Sequence, residues 1–523
     1  MTAVEPILVA GAWRPAVARR TYRAINPATG TTFEAEWPVS GWSDVDAALD
    51  AATGAARELA RLPGAAIAAF LEQYAVRIEA RATELVAVAH AETGLAVKPR
   101  LADVEMPRTL DQLRQAAAAA REGTWRMAMI DHAKNIRAAA SGLGPVVVFP
   151  PANFPFAYGA VTGGDFAAAI AAGNPVIAKA HEGHPSVSRL AAAEALAALE
   201  ETGLPTATVQ LLHGLDPADG ERLVADPRVG ATGFTGSQRA GEKLFRAASA
   251  AGRVIWVEMG SVNPVVILPG AIAERGEAIA DELTASVTGS AGQFCTKPGV
   301  VFLVGDEVGR AFTAAVAERF AAIGPQVLLG PAGCDRLVAS IGGLEAAGAR
   351  RLAGTAAASG PASHVPVLLE APGRDLLARP EIFLVEAFGN ATLLVICDSL
   401  DQLTQAVACV HGSLGASLYA AKDGRDDTAF AAVVPLLVER AGRIIENRMP
   451  TGLGVVPSMQ HGGPWPSAGP PFFSAVGFPW TILRFARRVC YDGWSENRLP
   501  EIVRNEPPAG SPWRYVDHAW TRG

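Results

Sequence analysis

From about residue 144 onward, short β-branched and apolar runs alternate with alanine-rich stretches of helical period, which predicts a parallel sheet flanked by helices. Val146–Phe149 reads as the first strand, followed by a helix over about 160–172 that Gly173 and Asn174-Pro175 terminate. Val176–Lys179 reads as the second strand. Pro185 opens a helix to about Thr202, with Gly203 and Pro205 beyond its end, and residues 209–213 form a third strand. Phe234-Thr235-Gly236-Ser237 then leads into a helix containing Gly241, and residues 253–258 return as another apolar strand. A second series begins with a strand at 265–268, a long helix to about Ala291 and the strand Val300–Val304, so a second α/β unit is expected. Residues 41–121 read as mostly helical, and 450–479, dense in Gly and Pro, as an ordered irregular loop covering something.

Composition narrows the function. With 50% hydrophobic and 19% charged residues, the chain is globular rather than disordered, and its 523 residues leave room for several domains. A net charge of −7 without a Lys/Arg block gives no footprint for nucleic acid or an anionic membrane. Residues 138–164 lack charged side chains, yet Pro145, Pro150, Pro151, Pro155 and Asn153 argue for buried strand and loop rather than a membrane span. Five scattered cysteines without a Cys-x-x-Cys pair fit a reducing, cytoplasmic setting, and the N-terminus lacks a basic export signal.

Several residues could carry chemistry. Cys295, on a loop beyond a helix with Gly292 and Gly299 near it, is either a nucleophile or a buried structural thiol. Glu258 ends an apolar strand, where a carboxylate either is functional or reaches solvent. Asn153 follows the first strand and could donate to an oxyanion or simply form a turn. Gly236-Ser237-Gln238-Arg239-Ala240-Gly241 could seat a pyrophosphate at a helix N-terminus, although the third glycine of the dinucleotide fingerprint is missing. His181-Glu182-Gly183-His184 has the wrong spacing and too many helix breakers for a zinc motif, so no metal site is expected.

Taken in order, Pro151-Ala152-Asn153-Phe154-Pro155, Val176-Ile177-Ala178-Lys179, Phe234-Thr235-Gly236-Ser237, Val257-Glu258-Met259-Gly260, Gly292-Gln293-Phe294-Cys295 and Glu386-Ala387-Phe388-Gly389 resemble the aldehyde dehydrogenase superfamily. Glu92-Thr93-Gly94-Leu95, Ser261-Val262-Asn263-Pro264, Cys295-Thr296-Lys297-Pro298-Gly299 and Met459-Gln460-His461-Gly462-Gly463-Pro464 resemble its 2-oxoglutarate semialdehyde (2,5-dioxovalerate) and fatty aldehyde branch.

The resemblance implies an α/β fold with a Rossmann-type cofactor domain (1–124 and 144–257), a second α/β catalytic domain (258–477) and β bridging or oligomerisation segments (125–143 and 478–523). It further implies NAD(P)-dependent oxidation of an aldehyde to a carboxylic acid through a cysteine thiohemiacetal and thioester, with 2-oxoglutarate semialdehyde a candidate substrate. Cys295 would be the nucleophile, Glu258 the hydrolytic base and Asn153 an oxyanion donor. Lys179 would hold the adenosine ribose, Gly236, Ser237 and Gly241 the pyrophosphate turn, and Glu386 and Phe388 the nicotinamide ribose, with Met259 alongside. Glu182 would accept hydrogen bonds from the ribose hydroxyls and repel a 2′-phosphate, which favours NAD over NADP. Asn390 and Ala152 depart from the usual pattern of the superfamily. A homodimer or homotetramer is expected. A CoA-acylating relative and a catalytically silent scaffold of the same fold are the alternatives.

Overall fold

The computed structural model describes residues 4–355, 360–506 and 512–522. Its largest sheet has five parallel central strands, in the order Val209–Leu212, Val176–Lys179, Val146–Phe149, Ala231–Thr235 and Val254–Glu258. Ile7–Val9 and Ala12–Arg14 extend one edge antiparallel, and Ala468–Gly469 covers the other. The strands read as continuous apolar runs because helices cover both faces. Chain order reverses beside Val146–Phe149, which pairs with Val176–Lys179 on one side and Ala231–Thr235 on the other. A crevice opens beyond the carboxyl ends of strands at such a reversal.

The second sheet has seven strands in the order Arg350–Ala353, Val367–Pro372, Ala391–Cys397, Val300–Val304, Val265–Ile267, Ser413–Tyr419 and Ala441–Glu446. All its pairs are parallel except the first. Its two faces are buried by separate apolar clusters, one around Val266, Phe302 and Leu369, the other around Val265, Leu303 and Leu394. A third sheet joins Ala486–Asp492, Ile136–Gly142, Met129–Asp131, Trp513–Val516 and Ala519–Arg522, strands drawn from two distant parts of the chain. Among the described residues no helix is long and apolar enough to cross a membrane.

Local expectations mostly hold, with instructive departures. The helix expected over 160–172 is Gly164–Ala171, because Gly159 and Gly163 form a tight turn first: a Cβ on Gly163 would lie 2.5 Å from the Tyr158 carbonyl carbon. The long helix expected to reach Ala291 ends at Thr288, and Ser290 and Ala291 adopt positive φ. Residues 41–121 are mostly helical, but Val97–Glu105 is a widened π-helical segment rather than an ordinary helix, feeding directly into Met106–Glu122. Such segments recur at functional sites. The segment 450–479 is irregular apart from Ala468–Gly469.

Candidate active site

Cys295 stands on the loop that follows Pro269–Thr288, and three contacts fix that loop. Asn263, in the left-handed region at φ 42°, donates from Nδ2 to the carbonyls of Cys295 (2.7 Å) and Lys297 (3.1 Å). Gly292, at φ 67°, lets the loop press on residue 389: a Cβ there would lie 2.2 Å from the Gly389 carbonyl oxygen. Gly299 likewise admits the Val262 carbonyl. What approaches these glycines is therefore the protein's own backbone.

Two cavities meet at the sulfur. One, of about 530 Å³, lies at the reversal point of the large sheet and is lined by Asn153, Lys179, Glu182, Gly236, Ser237, Glu258, Met259, Cys295, Glu386 and Phe388. The other, of about 330 Å³, runs between the π-helical segment, Phe154, Tyr158, Phe294 and residues 451–455, and ends at Cys295 and His461. Among the described residues, Cys295 alone lines both.

Glu258 is 1% exposed, and neither carboxylate oxygen has a hydrogen-bond partner among the described residues. Its Oε1 is 3.0 Å from His461 Nε2, and that nitrogen is 3.5 Å from Cys295 Sγ. Burial, reinforced by the Glu258 charge, pushes the Cys295 thiol well above its ordinary range. An orphaned buried carboxylate is costly, so it is placed to meet a proton or a water. Asn153 is buried beside this group; its Nδ2 donates to the Gln293 carbonyl at 2.9 Å.

The residues expected around a dinucleotide converge, with one correction. Gly241 does not line the cavity: it packs beneath it, where a Cβ would lie 2.6 Å from Met259 Sδ, so the glycine serves close helix–strand packing. Ser237 caps Gln238–Ala250, accepting from the Ala240 N–H at 3.4 Å. Lys179 Nζ lies 3.7 Å from Glu182 Oε1, and burial lowers its pKa. Glu386 abuts Gly260 so closely that any Cβ there would collide with its carboxylate; burial raises its pKa, opposed by Lys297. His184 is buried with Nε2 against the Pro151 carbonyl, and His181 stacks on it at 5.1 Å between ring centroids. Asn390 points away from either cavity into a network with His364 and Gln326, whereas Ala152 lines the larger one.

Other residues contribute whose roles the sequence does not show. His461 lies within a recognised motif, but nothing in that motif reveals that it reaches the sulfur. Arg100 pairs with buried Glu105, donates to the Asn153 carbonyl at 2.7 Å and lies over the Phe154 ring at 4.3 Å. Glu105 in turn accepts from the Phe156 and Ala157 N–H groups, so this pair holds the Asn153 loop. Arg108 bonds Gln112 and Tyr158 and makes no ion pair among the described residues. Lys297, 2% exposed, donates to the carbonyls of Ala387 (3.0 Å) and Ala391 (2.5 Å), tying the nucleophile loop to the segment that carries Glu386 and Phe388.

The family model described as "Aldehyde dehydrogenase family" matches residues 13–463. Alpha-ketoglutaric semialdehyde dehydrogenase 2 of Azospirillum brasilense is 38% identical over 519 residues, 97% of each chain. Alpha-ketoglutaric semialdehyde dehydrogenase of Acinetobacter baylyi is 34% identical over 451 residues, 84% of each. Among solved structures, lactaldehyde dehydrogenase from Escherichia coli superposes with a TM-score of 0.79 at 24% identity, covering 93% of this chain and 98% of that one. With the sulfur at the meeting point of two cavities and these matches along nearly its full length, the chain belongs to the aldehyde dehydrogenase family.

Proposed function

We propose that the protein oxidises an aldehyde bearing its own carboxylate, with 2-oxoglutarate semialdehyde the leading candidate, to the corresponding acid through a thioester on Cys295. The observation that carries this reading is the position of Cys295 at the junction of two cavities, within reach of both His461 and Glu258.

The larger cavity fits a nicotinamide dinucleotide. Its mouth lies at the strand reversal, Ser237 stands at a helix N-terminus suited to pyrophosphate, and the Gly260 backbone leaves room for the Glu386 carboxylate that would bind a ribose. Lys179 and Glu182 would hold the adenosine ribose; the Glu182 charge favours NAD, since a 2′-phosphate placed there would meet a carboxylate. A dinucleotide held by these residues would supply the hydride acceptor that oxidation of the substrate carbon requires.

Everything else is the work of the chain. Cys295 rests as a thiol, so attack requires a base: His461 Nε2 accepts the proton and Glu258 steadies the imidazolium. The Asn153 amide and the Cys295 N–H stabilise the oxyanion of the thiohemiacetal. After oxidation, Glu258, whose oxygens accept no hydrogen bond among the described residues, activates the water that hydrolyses the thioester. A hydrolytic base in this position argues against release of the acyl group to CoA.

Substrate class rests on the smaller cavity. Arg108 presents a guanidinium that has no acidic partner among the described residues beside an aromatic wall of Phe154, Tyr158 and Phe294, an arrangement suited to a distal carboxylate. Two relatives bear the name of such a substrate.

The domain division follows from the same family: a cofactor domain around the large sheet, a catalytic domain around the seven-stranded sheet, and bridging strands in a homodimer or homotetramer. The third sheet, with Ala486–Asp492 at its open edge, supports that role, because an unpaired edge invites strand pairing.

The test is Cys295→Ala, assayed by reduced-cofactor absorbance with acidic, aliphatic and aromatic aldehydes. Aldehyde-dependent reduction should fall by about 10⁴-fold or more while cofactor binding persists. Retained turnover would remove the proposed nucleophile, and a flat aldehyde profile in the unmodified protein would remove the substrate class.

A further inference from the structure

The three side chains around the nucleophile have a second capacity that the oxidation of aldehydes does not use. Cys295 Sγ, His461 Nε2 and a Glu258 carboxylate oxygen all lie within 4.8 Å of one another. A thiolate, an imidazole and a carboxylate are the three ligand types zinc favours. With bonds of about 2.3 Å to sulfur and about 2.0 Å to nitrogen and oxygen, tetrahedral angles place sulfur about 3.6 Å from nitrogen and nitrogen about 3.3 Å from oxygen. The observed separations are 3.5 and 3.0 Å.

The cluster also meets a stricter condition. Glu258 and His461 are each 1% exposed, neither Glu258 oxygen has a hydrogen-bond partner among the described residues, and Oε1 lies 3.0 Å from His461 Nε2. The backbone at His461 is held in place: its N–H donates to Ser474 Oγ at 3.1 Å, and its carbonyl accepts from the Ala475 N–H at 2.8 Å. Such a set needs little rearrangement to enclose a cation, which lowers the cost of binding.

We infer that Cys295, His461 and Glu258 form a reversible inhibitory site for a thiophilic divalent cation of the zinc class, with water as the fourth ligand. On binding, the Cys295 S–H bond breaks, its proton passes to solvent and a sulfur–metal bond forms. No electron is transferred, and a chelator restores the thiol with uptake of one proton. The metal occupies the point where the two cavities meet, so an aldehyde carbonyl cannot reach the sulfur. The protein is thereby silenced by free zinc without oxidation of the cysteine.

The probe is cobalt(II), added anaerobically to metal-stripped, reduced full-length protein, with binding read by absorbance and not by activity. The expected result is a thiolate-to-cobalt charge-transfer band with intense tetrahedral visible bands, saturating at one metal per subunit and displaced by zinc. Cys295→Ala should abolish the charge-transfer band. His461→Asn and Glu258→Gln should each weaken zinc binding by about 100-fold or more, since even loss of an outer contact costs 10–100-fold. Circular dichroism of these variants, and an unchanged cobalt spectrum in Cys334→Ser, Cys409→Ser and Cys490→Ser, exclude misfolding and the other partly exposed thiols. Absence of the charge-transfer band, or zinc affinity unchanged in folded His461→Asn and Glu258→Gln, would overturn the inference, because the metal would then be absent or held by sulfur alone.

Discussion

The two cavities on either side of Cys295 are made in opposite ways. The larger is assembled from strand ends and the turns that follow them, so Lys179, Ser237 and Glu258 inherit their positions from the ladder of one parallel sheet. The smaller is assembled from a π-helical segment and an irregular Gly/Pro-rich loop more than 300 positions apart in sequence, joined through Arg108, Phe154, Phe294 and His461. The first construction fixes a geometry that must serve one cofactor, and the second leaves a wall that can change without disturbing the sheet. The contrast predicts that perturbations on one side leave the other's kinetic parameters unmoved.

The largest effect belongs to the scaffold of the cofactor side. Glu92, buried and accepting from the Ser186 and Val187 N–H groups at the start of Pro185–Thr202, is pushed up from 4.5 to about 7 by burial. The folded state then holds this proton more tightly than the unfolded one. Its contribution to stability is present at low pH and lost as pH rises from about 4.5 towards 7, by on the order of 3 kcal/mol. Denaturant titrations across that range should show a shallower pH slope for Glu92→Gln than for the parent; identical slopes would remove the argument.

Next in size is Arg108→Met, which removes from the aldehyde wall a guanidinium that makes no ion pair among the described residues. KM for a carboxylate-bearing aldehyde should rise by about 100-fold, the scale of one charge-assisted hydrogen bond, with an uncharged aldehyde of similar size and the cofactor KM little affected. Equal losses for charged and uncharged aldehydes would erase the distinction between the cavities.

Lys297→Met should act on the opposite side although Lys297 is two residues from the nucleophile. Releasing residues 387–391 and removing the charge near Glu386 should raise the cofactor KM by about 10-fold while the aldehyde KM holds. The smallest effect is Glu182→Gln, which should shift the ratio of NAD to NADP efficiency several-fold towards NADP, measured by paired kcat/KM values.

This asymmetry also governs what a reader of the sequence can find. Strand ends and the turns after them are local, so Val146–Phe149, Val176–Lys179 and the Ser237-capped helix are visible as apolar runs followed by Gly, Pro or Ser. Glu258 and Cys295 stand out because a carboxylate at the end of an apolar strand and a thiol between glycines are chemically out of place. Gly241 is ambiguous for a related reason: a glycine at a strand–helix turn can serve a ligand or a neighbouring side chain, and its packing against Met259 appears only in the structure. Arg100, Arg108, Lys297 and His461 carry no such local mark. Their roles depend on contacts between distant segments, as when the Arg100–Glu105 pair grips the Asn153 loop.

The claim beneath all of this is that Cys295 carries the acyl group between the cavities and that Glu258 releases it. It is tested most directly by mixing Glu258→Gln with cofactor and aldehyde, quenching in acid and locating the added mass by peptide mapping. The account predicts a burst of reduced cofactor equal to the number of subunits, slow turnover afterwards, and the acyl group on the peptide containing Cys295. Steady turnover at the parent rate, or an acyl group on any other residue, would contradict it.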